Sequence, residues 1–96
     1  MNIIFIEKAK LEFEDHVLYY ELENSELGDL LKNEIKRILN ILIKYPKIGS
    51  NEKYGLKSLL LHKFPLKLIY SIENANILIL AIAHQQRDPE YWTNRL

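Results

Sequence analysis

The sequence contains no cysteine, and this absence excludes disulfide bridges, thiolate zinc sites and cysteine nucleophiles. Its three histidines are scattered along the chain without the spacing of metal ligands, so we expect neither a metal ion nor another cofactor. No apolar run approaches the roughly 20 residues that a membrane-spanning helix needs. The first residues also lack the basic region of a signal peptide. These absences predict a cytoplasmic protein that works without a membrane.

Glycine and proline are also scarce, with three of each among 96 residues. Because hydrophobic side chains make up 48% of the chain, the sequence can bury apolar surface and is not typical of a disordered or fibrous protein. A chain of this length has room for one hydrophobic core. We therefore interpret residues 1–96 as a single domain.

Neither sign of charge is in excess, because 13 basic and 13 acidic side chains cancel. This balance argues against a protein that binds nucleic acid through bulk electrostatics. The charges are unevenly distributed, however. Residues 1–34 carry nine acidic and three basic side chains, a net charge of −6, which leaves +6 for the rest. The two charged regions could serve different partners, or they could be ordinary solvated surfaces.

The first half of the chain predicts one strand and two helices. A short β-branched and aromatic segment over residues 2–6 is typical of a strand. Apolar residues four apart then predict a helix to about Leu22, and a second apolar stripe from Leu27 to Leu42 predicts a longer helix. We expect Ser25 to cap the second helix and Pro46 to end it near Tyr45, with a loop over residues 46–51.

The second half changes to a period of two and predicts three strands. The first covers residues 59–62, and the other two, over residues 66–72 and 77–83, form a hairpin around a turn at residues 74–76. The strand over 77–83 has no polar side chain and is expected inside the sheet. The order β-α-α-β-β-β predicts an α+β fold, with a helical hairpin on one face of a mostly antiparallel sheet and Lys67 on the other.

Polar and aromatic residues follow the most apolar strand, over residues 84–92. Arg87 could clamp a phosphate or carboxylate, and Tyr91 and Trp92 could stack on a partner. Alternatively, the two aromatic residues could pin the tail to the body while Arg87 pairs with Asp88 or Glu90. For His84 we favour a structural role at the strand end, bonded to a backbone carbonyl, on the pleat face of Leu78, Leu80 and Ile82.

Taken together, several residues give the chain a family resemblance that covers essentially its whole length. They are Tyr19-Tyr20, Pro46, Phe64-Pro65, Tyr70 and the spacing of His84, Arg87, Pro89 and Trp92. In these residues and in its element order the sequence resembles the RelE/ParE superfamily of toxins from type II toxin–antitoxin modules, also called plasmid stabilisation proteins. The resemblance implies a complex with a cognate antitoxin, for which Tyr19 and Tyr20 are candidate groove residues.

The resemblance leaves two targets open. Toxins of the RelE branch cleave mRNA on the ribosome, and the matching residues here are Lys67, Arg87 and Tyr91. Such cleavage needs a base, an acid and positive charge, and the rest of the RelE basic set has no counterpart in this sequence. The tail resembles the ParE branch, whose members inhibit DNA gyrase. We therefore favour a ParE-like inhibitor over an endoribonuclease, with a degenerate interaction module as a third hypothesis. The candidate target-binding residues are Lys57, Lys63, Lys67, Arg87 and Trp92.

Overall fold

The computed structural model describes residues 1–95, in which two helices cover one face of a five-stranded sheet. The elements are β1 (Asn2–Phe5), α1 (Glu7–Glu23), α2 (Ser25–Lys44), β2 (Ser50–Asn51), β3 (Lys57–Leu60), β4 (Leu66–Glu73) and β5 (Asn76–His84). The sheet order is β1-β5-β4-β3-β2, and only the β1–β5 pair is parallel. The α+β fold is confirmed, with one addition. The predicted loop over residues 46–51 ends in the two-residue edge strand β2.

The two helices begin and end close to the predicted positions. Asn24, rather than Ser25, caps α2, because its side-chain oxygen accepts a hydrogen bond from the Glu26 amide at 3.0 Å. The helix ends before Tyr45, as expected for a residue that precedes proline. One stripe of α2 is buried against the sheet, formed by Leu31, Ile35, Ile38 and Leu42. Within residues 1–95, neither helix is long and apolar enough to cross a bilayer.

Both faces of the two central strands are covered. On the helix side, β4 and β5 contribute Leu66, Leu68, Tyr70, Ile77 and Ile79 to the main core. On the opposite side, Ile69, Leu80, Ala81 and Ala83 form a second cluster with Trp92 from the C-terminal segment. This arrangement explains why residues 77–83 are apolar on both pleat faces, and it places Lys67 on the side away from the helices, as predicted.

The alternation of β5 is interrupted by a β-bulge at Leu80. Ile69 of β4 pairs with Ala81 and Tyr70 pairs with Ile79, so Leu80 is an extra residue on β5. Leu80 and Ala81 consequently both face the second cluster. Strict alternation along β5 would place every side chain after Leu80 on the other face of the sheet from the one it occupies. His84 therefore lies on the helix side with Ile82, and the prediction that it shares a face with Leu78 and Leu80 is wrong.

Tyr70 anchors the loop between α2 and β3 to the sheet. Its buried hydroxyl donates to the Pro46 carbonyl at 2.7 Å and accepts from the Gly49 amide at 3.0 Å. A Cβ at position 49 would lie 2.7 Å from that hydroxyl, so glycine leaves the space that the bond requires. Burial raises the pKa of Tyr70. The tyrosine thus fixes the loop that carries β2.

Glu34 performs a similar task on α2. The buried carboxylate accepts from Arg37 at 3.0 Å and from the backbone amide of His62 at 2.8 Å. These contacts join α2 to the connection between β3 and β4. The bond from Arg37, together with that from the His62 amide, lowers the pKa of Glu34 despite its burial.

We predict that Tyr70→Phe lowers the free energy of unfolding by about 1–3 kcal/mol, because it leaves two backbone groups without their partner. Urea unfolding monitored by circular dichroism measures this loss. Tyr54→Phe is the matched control, since Tyr54 is exposed and should be close to neutral. Equal stability of the two variants would contradict an anchoring role for Tyr70.

We predict that Glu34→Gln destabilises the protein at neutral pH by about 1.5 kcal/mol, because the charged acceptor is lost. The pKa of Glu34 is lower in the folded chain than its ordinary value of 4.5. Its contribution is therefore fully present above pH 4.5 and is lost as the pH falls through the lowered folded value. Urea unfolding of the unmodified chain and of Glu34→Gln across this pH range should show that the difference between their free energies of unfolding decreases as the pH falls. A difference independent of pH would refute the prediction.

Candidate functional site

The segment after β5 folds back under the sheet. At its beginning, the Gln85 amide donates a hydrogen bond to the Pro65 carbonyl at 3.0 Å. Further along, the side chain of Trp92 packs into the second cluster and is only 1% exposed. The turn Pro89–Tyr91 between these points is capped by Asp88, whose carboxylate accepts from the Glu90 amide at 2.9 Å. Trp92 therefore pins the segment to the sheet.

Lys67 lies directly on this buried aromatic ring. Its Nζ is 4.7 Å from the centre of the Trp92 ring, a cation–π contact that holds the ammonium group over the face opposite the helices. Lys67 is half-buried, whereas Trp92 is closed off from solvent. Lys67 can therefore be contacted from solvent, whereas direct contact with the Trp92 ring would require this packing to open.

Arg87 stacks on a second aromatic ring. Its guanidinium lies 4.0 Å from the centre of the Tyr91 ring, and the guanidinium of Arg95 lies 4.7 Å from the same centre. In the part of the chain that the structure describes, Arg87 forms no ion pair with Asp88 or Glu90, so the pairing considered from the sequence is not observed. Arg87 remains exposed, with its charged edge available to an anion.

Arg95 and Glu12 form a nearly buried ion pair beside β5. Two bonds of 2.9 Å join the guanidinium to the carboxylate, with side-chain exposures of 6% and 15%. The hydrogen bonds that Arg95 donates to the Glu12 carboxylate raise the pKa of Arg95. The pair also satisfies the backbone of β5, because Arg95 donates to the Leu80 carbonyl at 2.8 Å and Glu12 accepts from the Ile82 amide at 3.1 Å. No signal in the sequence identified this contact.

His16 and His84 meet at the same edge. Their ring centres are 5.7 Å apart in an edge-to-face arrangement, and Nε2 of His16 lies 2.8 Å from the Ile82 carbonyl oxygen. We expected His84 to bond to a backbone carbonyl, and in the structure it is His16 that makes such a bond, to Ile82 on the strand of His84. Sequence reasoning treated these histidines as isolated, because 68 positions separate them and only the tertiary fold brings them together.

These side chains surround a cleft of about 160 Å³ between α1 and the end of β5. Its polar lining consists of Glu12, Asp15, His16, His84, Arg87 and Tyr91. Such a cleft offers two imidazoles for proton transfer and one guanidinium for an anion. The carboxylate of Asp15, which lines the same cleft as Arg87, opposes the binding of a strongly anionic group, whereas the charge of Glu12 is balanced by Arg95. No cluster of metal ligands is found among residues 1–95.

The remaining predicted residues lie elsewhere on the surface. Lys57 on β3 donates to Asn51 at 2.8 Å, and Lys63 is exposed between β3 and β4. Tyr20 packs on Phe64 with ring centres 4.8 Å apart, and burial raises its pKa, whereas Tyr19 is exposed. The two tyrosine rings nevertheless meet edge to face with their centres 5.1 Å apart, so the structure keeps Tyr19 and Tyr20 together as one aromatic pair.

Lys67, Arg87 and Tyr91 do not share one site. Lys67 belongs to the Trp92 contact, and the cleft that contains Arg87 and Tyr91 is not lined by Lys67. The fold is that of a small α+β protein. Two of its cations, Lys67 and Arg87, lie on aromatic rings close to the end of the central strand β5.

Comparison with known proteins identifies the family. Residues 3–89 match the family model described as the ParE toxin of the type II toxin-antitoxin system, parDE, and the chain belongs to this family. A solved structure titled "Chromosomal ParDE TA system from P. aeruginosa" has a similar fold, with a TM-score of 0.75. The two chains are 18% identical, and the match covers 88% of this chain and 95% of the other. No curated protein matches the sequence.

We predict that Glu12→Gln destabilises the fold by about 3 kcal/mol, because it leaves the buried guanidinium of Arg95 without a compensating charge. Thermal and urea unfolding measure this effect. Glu14→Gln on the same helix is the matched control, since Glu14 is exposed and has no bond to Arg95. A Glu12 variant as stable as the Glu14 variant would show that the ion pair does not hold the C-terminal segment.

Proposed function

We propose that this protein is the toxin of a type II toxin–antitoxin pair, that it acts in the cytoplasm by inhibiting DNA gyrase, and that a cognate antitoxin neutralises it in a hetero-oligomer. The observation that carries the proposal is the match to the ParE toxin family over residues 3–89. Gyrase and the antitoxin are the partners that this family membership leads us to expect. On this proposal the protein works by binding and needs no cofactor.

The arrangement of the cations supports an inhibitor over a nuclease. Cleavage of RNA requires a base, an acid and positive charge around one phosphate. Lys67 and Arg87 instead rest on different aromatic rings, and Arg87 shares its cleft with Glu12 and Asp15. Of these two carboxylates, that of Asp15 repels a phosphate backbone, whereas that of Glu12 is paired with Arg95.

Held on rigid rings, Lys67 and Arg87 are suited to fixed polar contacts with a protein surface. On the proposed function they are the principal target contacts. Lys57 and Lys63 are additional ones, and Trp92 supports Lys67 from beneath.

A second candidate function, cleavage of mRNA on the ribosome, is favoured by one observation. His16 and His84 lie in the cleft that Arg87 and Tyr91 also line, so potential proton-transfer groups stand near a cation and an aromatic ring. In this alternative, Lys67, Arg87 and Tyr91 would contact the RNA. A chain that binds its antitoxin without harming cells would instead support the interaction module.

We predict that inducible expression of the chain arrests growth and causes cleaved DNA and an SOS response to accumulate. Lys67→Ala and Arg87→Ala should each weaken target binding about tenfold, equivalent to about 1.4 kcal/mol, and relieve the arrest. Lys53→Ala, which removes an exposed lysine outside this surface, is the control. If growth is unaffected although folded protein is present, the proposal that the chain is a toxin is contradicted. If mRNA is cleaved and DNA is undamaged, the target is the ribosome and not gyrase.

A further inference from the structure

A cavity of about 640 Å³ lies at the opposite end of the sheet from the cleft beside Arg87. It is formed by the last residue of α2, the loop that follows, and Ile72 near the end of β4, which pairs with the start of β5. We call it the α2-end cavity. Its apolar lining consists of Met1, Tyr45, Pro46, Ile48 and Ile72. These residues differ from those of the cleft, so a role for the cavity does not depend on the proposed function.

The apolar side chains of this cavity are exposed although they are close together. Tyr45 is 62% exposed and Ile48 is 52% exposed, and both line the same concave surface with the half-buried Ile72. The volume lies within the roughly 300–1,000 Å³ typical of sites for small molecules. The cavity can therefore take up the apolar body of a small ligand.

The loop that forms the cavity is held in place before any ligand binds. The Tyr70 hydroxyl bonds to the Pro46 carbonyl and to the Gly49 amide, and the Ile48 amide donates to the Tyr45 carbonyl at 3.1 Å. These bonds fix the loop in the conformation that leaves Ile48 exposed. They also use both amides, so neither can donate to the backbone of a bound peptide. An alkyl chain needs no such donor.

Two lysines supply the polar part of the lining. Lys44 belongs to the last turn of α2, and Lys47 to the loop. Among residues 1–95, no acidic side chain lines this cavity, and residues 41–51 contain no acid to balance the two charges. An ammonium group forms strong hydrogen bonds with a carboxylate. The lining is thus complementary to an apolar ligand that carries one negative charge.

We propose that the α2-end cavity binds a small amphiphilic anion, an alkyl chain that ends in a carboxylate. The chain lies on Ile48, Ile72 and Tyr45, and the carboxylate lies between the ammonium groups of Lys44 and Lys47. The ligand binds as a free molecule. A second copy of the chain fits less well, because a symmetric contact would bring the lysines of both copies together.

The experiment titrates the full, untagged chain with decanoate below its critical micelle concentration, by calorimetry and by amide chemical shifts. We expect saturable binding at one site, with shifts centred on residues 44–49 and 72. Ile48→Asn should weaken binding about tenfold, because it removes part of the apolar floor. Ile43→Asn is the matched control, since Ile43 is 53% exposed and does not line the cavity. Circular dichroism checks that both variants fold.

A charge test compares decanoate with the uncharged decanol. The double variant Lys44→Ala, Lys47→Ala should lose about tenfold in affinity for decanoate and keep its affinity for decanol, whereas Lys8→Ala, Lys53→Ala, which removes equal charge from exposed positions elsewhere, should bind decanoate like the unmodified chain. Salt should weaken binding of decanoate and leave binding of decanol unchanged.

Several outcomes would overturn the inference. Decanoate binding that appears only with micelles, that Ile48→Asn leaves unchanged, or that decanol matches in the unmodified chain would exclude the proposed ligand. Binding to phosphatidylglycerol vesicles without binding of free decanoate would assign the cavity to a membrane surface. A dimer of the chain that Ile48→Asn dissociates would assign it to self-association, and a loss of antitoxin binding in this variant would assign it to the antitoxin. All of these outcomes leave the proposed function intact.

Discussion

The β-bulge at Leu80 determines the geometry of the site. The pairing of β1 with β5 ends at Ile79, immediately before the bulge, so the backbone of β5 beyond that point lacks a neighbouring strand on one side. Side chains take the place of that strand, because Glu12, His16 and Arg95 bond to the exposed amide and carbonyls. The bulge also directs His84 towards α1. Without it, His84 would point away from His16, and the cleft would lose one of its two imidazoles.

The second constraint is the burial of Trp92 against the side of the sheet that the helices leave free. This contact turns a polar tail into an ordered surface and brings the Tyr91 ring into contact with two guanidinium groups. Cations that lie on aromatic rings keep their charge while losing conformational freedom. The surface is therefore prearranged for fixed polar contacts, which suits a protein that acts by binding to a large partner.

Local patterns predicted most of the architecture. Apolar residues three and four apart identified both helices, Pro46 ended the second, and the uncharged run over residues 77–83 identified an interior strand. The position of Lys67 opposite the helices followed from simple alternation within β4. The errors lie where alternation fails or a cap shifts by one residue. The extra residue at Leu80 moved His84 to the other face, and Asn24 rather than Ser25 capped α2.

The sequence by itself determined the element order, the helical hairpin and the family resemblance, because these depend on side-chain periodicity and local turn residues that neighbouring positions reveal. Only the tertiary structure decided the composition of the cleft. His16 meets His84, and Glu12 meets Arg95, through contacts that span most of the chain. Such pairs produce no periodic pattern in the sequence. Their side chains come into contact only because α1 crosses β5 and because β5 contains one inserted residue, Leu80.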